Sequence, residues 1–145
     1  MEQPTCRTLA LEFLAKQSCI VMYQGSQTPS DAAWDMHLEQ FRSLAGRLEE
    51  IKILVITEGG RPTKAQQARL AQVVGGHASA TAVVSAMLAV RFVVSALALV
   101  KPNLRYFTPD EMGGAFQHLG IEEEERTLVL QTIERLRRHV HPTQH

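Results

Sequence analysis

The seven residues 51–57, IKILVIT, constrain the fold of this chain more than any other segment. The run is nearly continuous in apolar residues and rich in β-branched side chains, a pattern typical of a strand buried on both faces. It ends at Glu58-Gly59-Gly60-Arg61-Pro62, which predicts a turn, and Thr63 then opens a helical segment. A buried strand followed at once by a helix predicts an interior strand of a parallel sheet.

Strands and helices alternate along the rest of the chain. Two apolar segments, 8–15 and 19–23, are separated by a short polar break and predict a hairpin. The complete predicted order is β-β-α-β-α-β-α-β-α with an extra C-terminal helix. This order predicts an α/β fold in which helices cover a central mixed sheet of four to five strands. A length of 145 residues is typical of one such domain.

Three predicted helices begin with the same kind of sequence. Each has a threonine at the cap position and, three residues later, a side chain that can reach back to it, which together form a capping box. The three sequences are Thr28-Pro29-Ser30-Asp31, Thr63-Lys64-Ala65-Gln66 and Thr108-Pro109-Asp110-Glu111. Because these signals agree with the hydrophobic pattern, they support the predicted order independently of it.

The segment 121–140 predicts a final helix that has acidic residues at its start and arginines near its end. Its apolar stripe consists of Val129, Ile133, Leu136 and Val140. The stripe could pack on its own domain or on a second subunit in a homodimer, and both arrangements stay open. The predicted division of the chain is a domain over residues 1–121 and an amphipathic helix with a tail over residues 122–145.

Residues 78–100 form a long, nearly uncharged apolar stretch, which is long enough to be considered as a membrane span. Arg91 lies just past its middle, and the segment divides into a β-branched run at 81–84 and a helix-like part at 87–99. We therefore predict a buried strand and a buried helix with no membrane span. The N-terminus lacks the pattern of a secretory signal, so the expected location is cytoplasmic.

Composition and charge exclude several classes of function. Fifteen basic and fifteen acidic residues give a formal net charge of zero, which argues against a nucleic-acid-binding protein. Cys6 and Cys19 are predicted to be reduced thiols. The terminal histidines have no cysteine or carboxylate at ligand spacing, so no metal and no cofactor are predicted. We find no nucleophile-and-base pattern and predict no catalytic residue.

The element order resembles the STAS-like fold over residues 8–121. The resemblance rests on that order and on two segments, ILVITEGGRPTKAQQ and VVSAMLAVRFVVSALALVKPNLRYFTPDEMGGAFQHLGI. STAS-like domains occur in anti-sigma-factor antagonists, in the tails of sulfate transporters and in a bacterial group related to lipid-transfer (CRAL-TRIO) domains. Antagonist members carry Asp-Ser/Thr-Ser-x-x-Gly after the third strand, with a phosphorylated serine at the next helix start. Here that turn has no serine, and its hydroxyl nearest the helix start is Thr63.

The turn after the predicted central strand is the main candidate site. Ligands of open α/β sheets bind at the carboxyl ends of strands, and glycines allow close backbone approach there. The helix that follows offers free amide groups to an anion, and Thr63 is a candidate phosphorylation site. A tight structural turn is the simpler interpretation. The candidate residues for interaction or anion binding are Thr57, Glu58, Gly59, Gly60, Arg61 and Thr63.

The sequence therefore predicts a non-enzymatic cytoplasmic module of bacterial signalling that acts through contact with a protein partner. Its expected contact surface is the turn at 58–63 together with the adjoining helix. The alternative is a domain that binds a small apolar or lipid-like ligand. That alternative follows from the CRAL-TRIO relationship and from the apolar segment 87–99.

Overall fold

The computed structural model describes residues 8–74, 80–99, 101 and 103–141. Its strands are β1 (Leu9–Leu14), β2 (Cys19–Gln24), β3 (Lys52–Thr57), β4 (Thr81–Val84) and β5 (Leu104–Phe107). They form one mixed sheet in the order β1-β2-β3-β4-β5. Strand β1 is antiparallel to β2, as the predicted hairpin requires, and the other neighbouring pairs are parallel. The predicted α/β fold with a mixed sheet and an interior strand at 51–57 is confirmed.

Helices cover both faces of this sheet. In the described residues they are α1 (Asp31–Ser43), α2 (Lys64–Val74), α3 (Leu88–Ala98), α4 (Met112–Leu119) and α5 (Arg126–Val140). On the first face, α1 and α2 pack against alternate residues of the strands, among them Ile20 and Ile53. On the second face, α4 and α5 pack against the intervening residues, among them Val21 and Leu54. The chain thus folds into three layers, α/β/α.

The strand that is buried on both faces is β2, and β3 is less buried. All six residues of β2 are buried. In β3 Leu54 and Thr57 are buried and the other four residues are partly exposed, so the expected burial on both faces is only partly reached. The reason on the first face is a crevice of about 120 Å³ between β3, β4 and α3, which is lined by Val55 and Val83.

Two of the three predicted capping boxes are confirmed. The Thr63 hydroxyl accepts the Gln66 N–H, and Thr108 is paired with Glu111 in the same way. The first prediction is wrong because α1 begins two residues later, with Ser30 as its cap accepting the Ala33 N–H at 3.1 Å. The carboxylate of Asp31 accepts a hydrogen bond from Gln66 of α2 and therefore does not cap a helix that starts at Thr28.

Helix α3 differs most from its prediction. Val90 and Val94 are buried against the sheet, as expected. Leu88, Phe92 and Leu99 are instead 59%, 65% and 87% exposed, so the prediction of a buried helix is wrong for this face. The cause is geometric, because α3 lies in an outer layer with no further element over it in the described residues. None of the helices described reaches the length and apolarity that a membrane crossing needs.

The apolar stripe of the C-terminal segment packs on the chain's own sheet. A 3₁₀ turn, Glu123–Glu125, precedes α5, so the α-helix begins later than residue 121. Val129, Leu136 and Val140 are buried in the same core as the second face of β1 and β2. Arg135 also donates to both carboxylate oxygens of Glu12 on β1, at 2.8 and 2.9 Å.

A buried glutamine holds the starts of α1 and α2 together. Gln66 is 2% exposed, and its Nε2 donates to the Pro29 carbonyl at 2.9 Å and to the Asp31 carboxylate at 3.0 Å. Its Oε1 accepts the Thr63 N–H at 3.0 Å, and its own carbonyl accepts the indole N–H of Trp34 at 2.8 Å. Each polar group of this side chain therefore has a partner, which makes its burial favourable.

We expect Gln66→Leu to lower the free energy of unfolding by about 2–3 kcal/mol, because buried donors and acceptors lose their partners. Gln67→Leu is the matched control, since the neighbouring side chain is exposed and makes one hydrogen bond to Pro62. The control should change the free energy by no more than about 0.5 kcal/mol. Urea unfolding followed by circular dichroism measures both values. Equal losses in the two variants would contradict the role given to Gln66.

Candidate functional site

The turn after β3 lies at the carboxyl edge of the parallel strands and is closed by its own hydrogen bonds. The buried Thr57 hydroxyl donates to the Gly60 carbonyl at 3.2 Å and accepts the Gly59 N–H at 3.1 Å. Gly59 has a φ of +122°, a conformation that residues with a side chain rarely adopt. The side chain of Met87, at the start of α3, lies over Gly59. The turn and the start of α3 are therefore in contact.

Gly60 is required by the chain's own backbone. A Cβ atom at this position would lie 2.5 Å from the Gly25 carbonyl oxygen and 2.4 Å from that of Gln27. Both atoms belong to the loop after β2, and the Gly60 N–H donates to the same Gly25 carbonyl at 2.9 Å. The sequence predicts that this glycine allows the close approach of a ligand, whereas in the structure the approaching group is a neighbouring loop.

The amide groups of the turn are mostly engaged inside the protein. The Glu58 N–H donates to the Gln24 carbonyl at 2.9 Å. The Gly59, Gly60 and Thr63 N–H groups also have partners, as described above. The backbone in this conformation does not present these four amides to an anion. Arg61, Thr63 and Lys64 remain exposed, so what the turn offers to solvent is a set of side chains.

Two ionisable side chains meet on the Glu58 carboxylate beside the turn, which makes a cluster of three. The Tyr23 hydroxyl, at the end of β2, donates to Glu58 Oε2 at 2.5 Å. Nε2 of His141, just after α5, lies 2.7 Å from the same oxygen. Burial raises the pKa of Tyr23 above its ordinary value, and the hydrogen bond and negative charge of Glu58 raise it further. The cluster joins the ends of β2, β3 and α5.

Sequence reasoning named Glu58 but missed both of its partners. Tyr23 follows the apolar run of β2, and no local pattern separates it from other buried aromatic residues. His141 was considered only among the terminal histidines as a metal ligand. Its position at the end of α5, where its N–H donates to the Arg137 carbonyl at 2.9 Å, gives no sign of a distant carboxylate.

The small crevice beside the turn contains a buried polar side chain. Its wall is formed by the turn on one side and by Val90, Val93 and Val94 of α3 on the other. Gln24, which is 5% exposed, also lines it, and its Nε2 has no acceptor among the described residues. A buried donor without an acceptor is uncommon and unfavourable, so this amide is a natural point for an added contact.

The described residues hold no cluster of three or more histidine, cysteine or acidic side chains that could bind a metal ion. Cys19 is a free thiol, and burial raises its pKa to about 12, so it stays protonated at neutral pH. Cys6 lies outside the described residues, as does His145. Nε2 of His118 lies 2.8 Å from the Asn103 carbonyl oxygen, so the group that this histidine contacts there is a backbone acceptor and not a nucleophile.

Comparisons with protein-family models, with curated proteins and with solved structures find no match to this chain. The candidate site is therefore defined by its own geometry. It consists of the turn at 57–63, the crevice beside α3 and the Tyr23–Glu58–His141 cluster.

We expect Gly60→Ala to lower the free energy of unfolding by about 3 kcal/mol or more, because two backbone oxygens would have to move. Gly113→Ala is the control, since a Cβ there meets nothing within 4 Å. Gly113 lies in α4, so its replacement should raise the same free energy by about 0.5–1 kcal/mol. Chemical denaturation measures both. An unchanged free energy of unfolding in Gly60→Ala would show that the two loops are not held together in solution.

The ionisation of Tyr23 tests the three-residue cluster. In a Tyr106→Phe background Tyr23 is the remaining tyrosine, so absorbance at alkaline pH follows it alone. The midpoint of the Tyr23 titration should lie above the ordinary tyrosine pKa of about 10. Glu58→Gln removes the negative charge, so it should lower this midpoint, but not to the ordinary value, because Tyr23 stays buried. Because the folded pKa is the higher one, stability should decrease as the pH rises above the unfolded value. An unchanged midpoint in Glu58→Gln would contradict the contact.

Proposed function

We propose that the protein is a non-catalytic interaction module, and that a protein partner binds at the turn and the adjoining crevice. The observation that carries this proposal is the buried amide of Gln24. Its Nε2 has no acceptor in the part of the chain that the structure describes, and it lines an apolar crevice that exposed Arg61 also lines. A main-chain carbonyl or an amide side chain of a partner would satisfy that donor. Apolar contact with the valines of α3 would accompany it.

The rigidity of the turn supports a protein contact. The backbone of the turn is held by hydrogen bonds to the interior, which involve Thr57, Gly60 and Glu58. The side chains that it exposes to solvent are those of Arg61, Thr63 and Lys64. A surface that is fixed before binding loses little conformational entropy when a partner binds. Since the amides of the turn are largely engaged, side-chain recognition of a partner accounts for the site better than an anion cradle.

The resemblance to STAS-like domains is compatible with this proposal and remains part of it. A hairpin followed by strands that alternate with helices, with β3 in the middle of the sheet, is the arrangement that the resemblance implies. In this interpretation the turn corresponds to the regulatory surface of a bacterial signalling module. Thr63 is exposed at the start of α2 between Arg61 and Lys64, where a phosphate group would be tolerated.

Binding of a small apolar ligand is the second candidate. A cleft of about 710 Å³ lies along the outer edge of β5, and its walls include Val94, Ala98 and Tyr106. This volume is within the range of small-molecule sites. The cleft is open along the sheet edge, and Arg91 and Glu111 also line it, so it is less enclosed than a typical lipid site.

Site-specific photo-crosslinking tests the proposed contact. A photoreactive residue at position 61 should give one discrete protein adduct in cells that express the protein, and unlabelled protein should compete for it. The same residue at position 42, an exposed arginine on α1, is the matched control and should give no such adduct. Equal adducts at both positions, or none at position 61, would contradict the proposal. Native mass spectrometry that retains a small apolar molecule would favour the second candidate.

A further inference from the structure

The exposed face of α3 forms a continuous apolar stripe. At 3.6 residues per turn, Leu88, Phe92, Ser95 and Leu99 lie within about 60° of the helix circumference. The buried residues Val90 and Val94 lie on the opposite side. Such a stripe would normally face a core, yet here it is open to solvent over the full length of the helix.

The segment of the chain that contains the stripe has charges of a single sign, and the nearest acidic side chain in the adjoining cleft is Glu111. No acidic residue occurs between Glu58 and Asp110, a stretch that includes α2, β4, α3 and β5. The same stretch contains six basic residues, while the rest of the chain has nine basic and fifteen acidic residues. The six are Arg61, Lys64, Arg69, Arg91, Lys101 and Arg105. A chain with no net charge therefore carries its excess positive charge in the segment between Glu58 and Asp110, which includes α3.

Two of these basic residues border the stripe itself. Arg91 lies on α3 beside Phe92, and Lys101 follows the end of the helix. Both residues are exposed. Arg61 lines the crevice formed with Val90 and Val93, on the side of α3 that faces the sheet, and does not border the stripe. In contrast, Arg69 forms an ion pair with Asp35 of α1 and does not contribute a free charge.

We propose that α3 docks on the surface of an anionic membrane, with its apolar stripe inserted at the headgroup level and the basic residues contacting acidic lipids. An apolar helix face bordered by lysine and arginine is the pattern of helices that lie in the plane of the bilayer interface. Eleven residues are too few to cross a bilayer, which needs about 20. Attraction to an acidic leaflet then adds to the burial of Leu88, Phe92 and Leu99.

Two other occupants fit the surface less well. A second copy that docks by twofold symmetry would bring the Arg91 and Lys101 side chains of both copies close together, since the same patch meets itself. A folded protein partner needs hydrogen bonds that fix its register. The stripe has one polar side chain, Ser95, and so offers such a partner few hydrogen bonds. This proposal is independent of the protein contact at the turn.

Vesicle co-sedimentation of the full chain tests the proposal. Vesicles of phosphatidylcholine with about 30% phosphatidylglycerol should bind the protein, and pure phosphatidylcholine should bind it much more weakly. Binding should weaken in about 0.5 M NaCl, because salt screens the charges. In the double variant Leu88→Gln/Phe92→Gln binding should fall at least about tenfold, since burial of each side chain contributes substantially to affinity. Arg91→Gln/Lys101→Gln should abolish the preference for the acidic vesicles.

The matched control is Leu128→Gln/Leu130→Gln, which replaces two exposed leucines of α5 on the opposite layer. Circular dichroism checks that every variant remains folded, and each substituted residue is exposed in the structure. The control should bind like the unchanged protein. Absence of binding to acidic vesicles, or equal loss in the control, would overturn the proposal. A third outcome would also overturn it. In that outcome the unchanged protein is a dimer that does not bind vesicles, and Leu88→Gln/Phe92→Gln converts it to a monomer.

Discussion

The approach of Gly60 to the loop after β2 fixes the carboxyl edge of this sheet. That loop leads into α1 and the turn containing Gly60 leads into α2, so their contact sets the distance between the two helix starts. Gln66 can then join Pro29 and Asp31 to α2 only because this distance is short. The crevice beside α3 and the position of Glu58 depend on the same arrangement. A backbone contact, which permits no side chain at position 60, therefore underlies both the fold and the candidate site.

Signals confined to a few residues predicted the fold well. The capping boxes of Thr63 and Thr108 depend on contacts within one turn of chain, and the structure confirms them. The strand at 51–57 is confirmed as well, because its run of β-branched residues is a local signal even though its partners are distant. The predicted cap at Thr28 failed because the Asp31 carboxylate bonds to a residue 35 positions away. The burial of α3 failed for a related reason. Hydrophobic spacing identifies the faces of a helix, but it does not show which of them the rest of the chain covers.

The position of the candidate site was predictable, and its chemistry was not. A turn after a central parallel strand must lie at the carboxyl edge, which follows from topology. A pair of glycines indicates that the backbone needs freedom there, but the same sequence serves for a ligand and for a neighbouring loop. The partners of Glu58 lie 35 and 83 residues away, and no spacing within the chain joins them. The open α3 face likewise required coordinates.

The packing of α5 on the hairpin affects how the chain folds. Strand β2 has both faces buried, yet the helix that covers its second face comes more than one hundred residues later. Contacts at such separation close slowly, because the intervening chain loses entropy before they form. During synthesis the second face of the first two strands stays uncovered until α5 emerges. A transient apolar surface of this kind is what molecular chaperones bind, so early intermediates are the stage most exposed to aggregation.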